Sequence, residues 1–286
     1  MFAILLAICC AAPDPTETYP GTAPLTWEGD LAARLVNSVD QFLLRELDRS
    51  IDRRAAFWQR DFSSPQAYGR SIAPQRQHLA HILGIRDERA RFHALELVTM
   101  TDQTAQIGSG PNYDVFNVRW PAFGDVTGEG LLLEPRGRAP LAQIIALPDC
   151  EVLPEELVGL VDGVPERCQF ARRLAGSGCR VVVPLLINRQ RKQFDWGARP
   201  APDVTNREML YRSAFELGRG LIGYEIQKIL AVVDCWSHGS SPSGEDGSPA
   251  SHSAPIGIIG WGEGGLLALY SGAIDPRIQA VRPHPG

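Results

Sequence analysis

The chain has 286 residues, 44% of them hydrophobic and 21% charged, a globular composition long enough for one large domain or two modest ones. Its formal net charge of −5 argues against a nucleic-acid partner, which calls for a basic face. No apolar run reaches the length of a bilayer-spanning helix, so no integral membrane segment is expected.

The chain opens on Met1–Ala12, MFAILLAICCAA, followed by a polar, Pro-rich stretch to Pro24. An apolar run ending in small residues is the pattern of a secretory signal, and export to the periplasm or the exterior is expected. No Lys or Arg precedes the run, Pro13 sits badly after a cut at Ala12, and Ile8 is a poor neighbour for a lipidated Cys9 or Cys10. The other four cysteines, Cys150, Cys168, Cys179 and Cys235, form no C-x-x-C pair, so zinc spacing is absent.

In residues 25–90, a helical region, Leu31, Leu35, Val39, Phe42, Leu43, Leu47 and Ile51 recur at helical spacing, predicting an amphipathic helix over Leu31–Arg54. A second helix is predicted over Pro74–Leu83, stopped by Gly84. Its His78 and His81 have no third ligand beside them and read as a solvated surface rather than a metal site. From residue 91 the pattern shortens: His93–Met100, Asp114–Trp120 and Gly128–Glu134 are β-branched and aromatic stretches broken by turn residues, predicting an antiparallel hairpin or meander.

From Ala142 the chain alternates buried strands with helices. Gln143-Ile-Ile-Ala-Leu147, Cys179-Arg-Val-Val-Val-Pro184 and Ile256-Gly-Ile-Ile-Gly260 are short continuous apolar runs, as expected of strands covered on both faces. Helices are predicted at Phe170–Ala175, over a long span Arg207–Asp234, and from Leu266 to Ala273. A polar loop, Asn188–Asn206, and a Ser/Gly/Pro-rich flexible loop, within 237–254, separate them. This rhythm predicts an α/β fold with a parallel sheet and flanking helices, preceded by the helical segment and the short antiparallel strands. Glu225 and Lys228, three apart on the long helix, read as a surface pair, and Arg219 as structural.

The hexapeptide Gly260-Trp-Gly-Glu-Gly-Gly265 lies between a strand and a helix. Gly260, Gly262 and Gly265 satisfy G-x-G-x-x-G, a dinucleotide turn. That turn belongs on the first strand of its domain and wants an acid about 20 residues on, where this chain has none. The alternative is a nucleophile elbow, in which small residues two before and two after the nucleophile permit a strained backbone. Gly260 and Gly264 fill those positions, Gly265 suits close helix–strand packing, and the nucleophile slot holds Gly262. Glu263 follows it and keeps a backbone N–H for an oxyanion hole.

Three blocks carry a resemblance: Ile144-Ile-Ala-Leu-Pro-Asp149, Phe215–Lys228 with Leu-Ala-Val-Val-Asp234, and Ile259–Tyr270 ending in Asp275-Pro-Arg277. In that order they resemble the α/β-hydrolase relatives of the dienelactone hydrolase and acetylxylan esterase type, over residues 70 to 282, and in particular exported bacterial members with glycine in the elbow. The resemblance implies carboxylic-ester hydrolysis, no cofactor and no metal, and an ester or carbohydrate ligand. It also implies that the loop after Leu147 supplies the second oxyanion N–H, from Asp149 or Cys150 because Pro148 has none.

The triad of such a fold runs Ser, Asp or Glu, then His, its last members following later strands. Thirteen residues follow Ala273, where one βαβ unit takes roughly 30. His238 and His252 read as loop residues, and His284 lies in Arg-Pro-His-Pro-Gly, a stretch hostile to strand and helix. Ile278–Val281 starts like another buried strand and breaks off at Pro283, the pattern of a truncated chain, and such a last strand would be an unprotected sheet edge. The expectation is an α/β-hydrolase relative that is catalytically inactive as it stands, with a non-catalytic carbohydrate- or protein-binding member as the alternative and a nucleotide-binding protein behind it. Nothing in the sequence fixes the oligomeric state.

Overall fold

The computed structural model describes residues 18, 20–24, 26–99, 104–191, 203–238 and 254–284. The signal-like start, Met100 and most of the Ser/Gly/Pro-rich loop, His252 included, lie outside these residues. The chain divides between Ser71 and Ile72 into two compact units.

In the first unit, helix α1 (Leu31–Ala55) is capped by Asp30, whose carboxylate accepts from Ala33 N–H at 3.0 Å, and it ends on Arg53 and Arg54, suited to its negative C-terminal pole. None of its residues is buried. Helix α2 (Pro65–Ile82) starts nine residues before the predicted Pro74, which lies inside it.

The second unit is built on one open, mixed sheet. Its strands are β1 (Glu96–Leu97), β2 (Gln106–Ser109), β3 (Tyr113–Phe123), β4 (Val126–Pro135), β5 (Gln143–Leu147), β6 (Arg180–Pro184), β7 (Ile256–Trp261) and β8 (Ile278–His284). The sheet order is β1-β3-β4-β6-β5-β7-β8, with β2 paired to β3. The predicted hairpin is β3–β4, antiparallel, and β4 joins β6 antiparallel. From β6 through β5 and β7 to β8 all pairings are parallel. The predicted strand His93–Met100 shrinks to the two residues of β1.

Period-two alternation sorts the side chains onto two faces. Ile145, Leu147, Ile256 and Ile258 face a core shared with Trp120, Ile226, Ile229 and Leu267. Ile144, Ala146, Val181, Val183 and Ile259 face the other, with Leu157, Phe170 and Ala171. Helices α6 (Leu221–His238) and α7 (Glu263–Ile274) supply the first layer; the short helices α3 (Pro154–Leu157) and α4 (Phe170–Gly176) supply the second. Each fully buried Ile or Leu side chain contributes roughly 1.5–3 kcal/mol, so α6 is the main anchor of its face.

Three expectations need correction. The long helix Arg207–Asp234 is two helices, α5 (Asn206–Glu216) and α6, separated at Leu217-Gly-Arg-Gly220. Gly218 there takes φ +64, and a Cβ on Gly223 would lie 2.4 Å from Leu83 O, so the break lets α6 lie against backbone. Helix α6 also runs through Ser237 and His238, placed in the loop by composition. Finally, β8 does not break off at Pro283. It pairs with β7 from Ile256↔Ile278 to Trp261↔His284 and ends the sheet order, where an edge strand accommodates a proline.

Candidate functional site

Strands β5 and β7 are parallel neighbours whose following loops leave toward opposite faces, β5 toward α3 and α4, β7 into α7. Loops that part in this way open a crevice at the carboxyl ends of the strands. Leu147 pairs with Gly260, so residues two further along each strand, Asp149 and Gly262, stand opposite one another.

At the tip of β7, Gly262 has φ +56 and ψ −123, a backbone that L side chains rarely adopt, and α7 begins at Glu263. Its N–H donates to His284 O at 3.0 Å and its carbonyl accepts from Leu266 N–H at 3.2 Å. A Cβ on Gly264 would lie 2.2 Å from Pro148 O; one on Gly260 would strike Gly264 O, and one on Gly265 would strike His284 O. The glycines are therefore spent on close approach of the chain to itself, which accounts for their pattern without a dinucleotide.

The crevice is filled by Asp149. Its Oδ2 accepts from Glu263 N–H at 2.9 Å and its Oδ1 from Glu151 N–H at 3.1 Å. A Cβ built on Gly262 would lie 2.3 Å from Asp149 Oδ2. One carboxylate thus occupies both the space a nucleophile side chain would need and the backbone donor expected to face an oxyanion. Burial pushes the Asp149 carboxyl up, but the Glu263 and Glu151 N–H groups, with the Arg189 guanidinium, hold it below the ordinary aspartate value. Of the three residues predicted around the oxyanion hole, the structure brings Asp149 and Glu263 together, with Asp149 acting through its side chain rather than its N–H.

Cys150 is buried, its thiol pushed up to about 11 by desolvation against the lowering effect of Arg207. A thiol so raised is not a nucleophile at neutral pH. It lines a cavity of about 230 Å³ with Glu151, Leu153, Leu185, Asn188 and Gln190.

Beneath the crevice lies an ionic network that local sequence did not reveal. Glu263 binds Arg207 and, at 3.1 Å, Arg189. Arg207, buried at the start of α5, donates to Ile187 O at 2.8 Å and lies 3.9 Å from Glu225. Glu225 accepts from Ile187 N–H at 2.7 Å and lies 2.6 Å from Lys228 Nζ, which donates to Leu185 O. Glu225 and Lys228 are thus a buried pair and not the surface pair the spacing predicted: Glu225 is 0% exposed, because α6 is covered on nearly all sides. The only advance signal was that carboxylates and arginines fall near apolar runs.

The remaining candidates are elsewhere. His78 and His81 are exposed on α2, and His81 contacts Arg86. Arg219 makes a two-pronged bond to Asp87 at 2.7 and 3.1 Å, tying the start of α6 to the loop after α2. Asp275 ends α7 and is bound by Arg277. His284 stacks on Trp261, ring centroids 4.2 Å apart. Among the described residues, no group of three or more His, Cys, Asp or Glu is placed to share a metal ion. No helix among them is long and apolar enough to cross a membrane.

Comparison with solved structures finds similar chains among esterases. An acetyl xylan esterase candidate from Bacteroides fragilis superposes with a TM-score of 0.52 at 13% identity, covering 78% of this chain and 54% of its own. Acetyl xylan esterase 1 from Thermoanaerobacterium gives a TM-score of 0.43 at 10% identity, over 72% of this chain and 56% of its own. A glucuronoyl esterase from Solibacter usitatus gives 0.44 at 13%, over 76% and 58%. The chain therefore spans little more than half the length of these structures. No protein-family model and no curated protein matches it in sequence.

Proposed function

Because the chain has the open, mixed-sheet fold of esterase-type α/β-hydrolases, we propose that it is a non-hydrolytic member of that group, a scaffold that keeps the elbow and binds an ester or carbohydrate ligand without cleaving it. One observation carries the reading: the Asp149 carboxylate lies where the side chain of a nucleophile at residue 262 would stand, and it caps the Glu263 N–H. Acyl transfer needs that space for attack and that donor for the developing oxyanion. Here a permanent negative charge is held against the donor, and Gly262 has no side chain to attack with. The raised Cys150 thiol offers no substitute.

The test is hydrolysis of p-nitrophenyl acetate and of acetylated xylan by the purified chain. Turnover should equal that of a heat-denatured control and should be unchanged in Asp149→Asn. A rate above that control, lost in Asp149→Asn, would overturn the proposal and make the carboxylate a participant.

A further inference from the structure

On the face of the sheet opposite α6 and α7, a cleft of about 400 Å³ runs between α4 and the carboxyl ends of β7 and β8. That volume is in the range of small-molecule sites. Its basic groups are Arg167 and Arg173 on the α4 side and Arg282 on the β8 side, with the Trp261 indole between them. Among the described residues, no Asp or Glu lines it. Parallel register places Arg282 opposite Ile259, which shares the α4-side face with Trp261 by period-two alternation. The carboxylate adjacent to Arg167, Glu166, is taken by Arg172 at 3.5 Å, and no carboxylate among the described residues forms an ion pair with Arg167, Arg173 or Arg282.

We propose that this cleft binds an acidic oligosaccharide, with anionic groups on neighbouring sugar rings held by the two arginine walls and a ring lying on Trp261. Guanidinium groups present planar, two-pronged donors that match carboxylate and sulfate oxygens. Trp261 is 43% exposed and backed on one face by His284, so it is a fixed platform with one side open to the apolar C–H face of a sugar. Cations on both sides of the platform fit a ligand with repeated charge better than a single anion. They stand out against a chain of net charge −5. The inference goes beyond the reading of the elbow and does not depend on it, since neither Asp149 nor Gly262 lines the cleft.

Calorimetric titration of the full chain with a trigalacturonate, a sulfated oligosaccharide of similar length, neutral xylohexaose and inorganic sulfate tests it. At least one acidic oligosaccharide should bind, and which one tells carboxylate from sulfate ester. Neutral xylohexaose should bind about tenfold more weakly or not at all, and Trp261→Ala, Arg173→Gln and Arg282→Gln should each weaken the acidic ligand about tenfold. All three positions are exposed, and thermal melting checks that each variant folds. The proposal is overturned if no acidic saccharide binds by about 10 mM, if xylohexaose binds equally well, if sulfate alone binds as tightly as the oligosaccharide, or if the variants bind like the parent chain. Ester turnover in the assay above would leave each of these outcomes unaffected.

Discussion

Placing a serine in the turn after β7 is the substitution that tests the geometry most directly, and Gly262→Ser should destabilise the fold. The new Cβ would meet Asp149 Oδ2 at 2.3 Å, and Asp149 Cβ would still lie 3.3 Å away. The carboxylate must swing out by roughly 1 Å to reach ordinary contact distance, which breaks its bond to the Glu263 N–H. Losing a hydrogen bond to a charged group costs about 1.5–3 kcal/mol. Holding a side chain at φ +56 adds about 1–3 kcal/mol. Gly262→Ser should therefore cost about 2.5–6 kcal/mol in urea unfolding, and Asp149→Ala, which also loses the bond from the Glu151 N–H, about 3–6 kcal/mol. In the double variant the bond is lost once, not twice, so the two changes should be sub-additive by about 1.5–3 kcal/mol. A Gly262→Ser variant as stable as the parent, or strict additivity in the cycle, would refute the placement of Asp149 in the nucleophile's space.

Two further outcomes follow from the buried charges around the crevice. Glu225→Gln leaves Arg207 and Lys228 without their shared carboxylate and should cost about 3–5 kcal/mol in urea unfolding; a loss below about 1 kcal/mol would place the pair at the surface after all. The Cys150 thiol is raised in the folded state from an ordinary value of 9.0, so the stability it contributes is complete below about pH 9 and is lost as pH rises toward about 11. Cys150→Ala should remove that part of the alkaline decline, and iodoacetamide should reach Cys150 far later than the exposed Cys168. Equal alkylation rates for the two at pH 8 would contradict the burial.

Much of the sheet was legible because its central strands are closed apolar runs between turn residues. β5 is found at the predicted Gln143–Leu147, and β7 extends the predicted run by one residue, to Trp261. The α5–α6 break was not, since apolar spacing continues through it, and only the left-handed φ of Gly218 (+64) and the Leu83 backbone against Gly220 explain the two glycines. Pro283 concealed the end of β8: a proline forbids a central strand but not an edge. Gly262 itself was readable from the spacing of its neighbours. What fills the slot was not, because Asp149 lies 113 residues away in sequence and reaches it only through the register Leu147↔Gly260. Glu225 was misread for the opposite reason, as i,i+3 spacing says which side chains meet but not whether water reaches them.

That same register sets the order in which the site can change. With Asp149 in place, a serine at 262 displaces the carboxylate from the Glu263 N–H. With Asp149 removed, the Glu263 N–H loses its acceptor, and the glycine still cannot attack. Either single change lowers stability, and only a paired change avoids the overlap. The carboxylate against Gly262 behaves as a latch, in which a single contact between two loops ties what residue 262 can be to a partner 113 residues away in sequence.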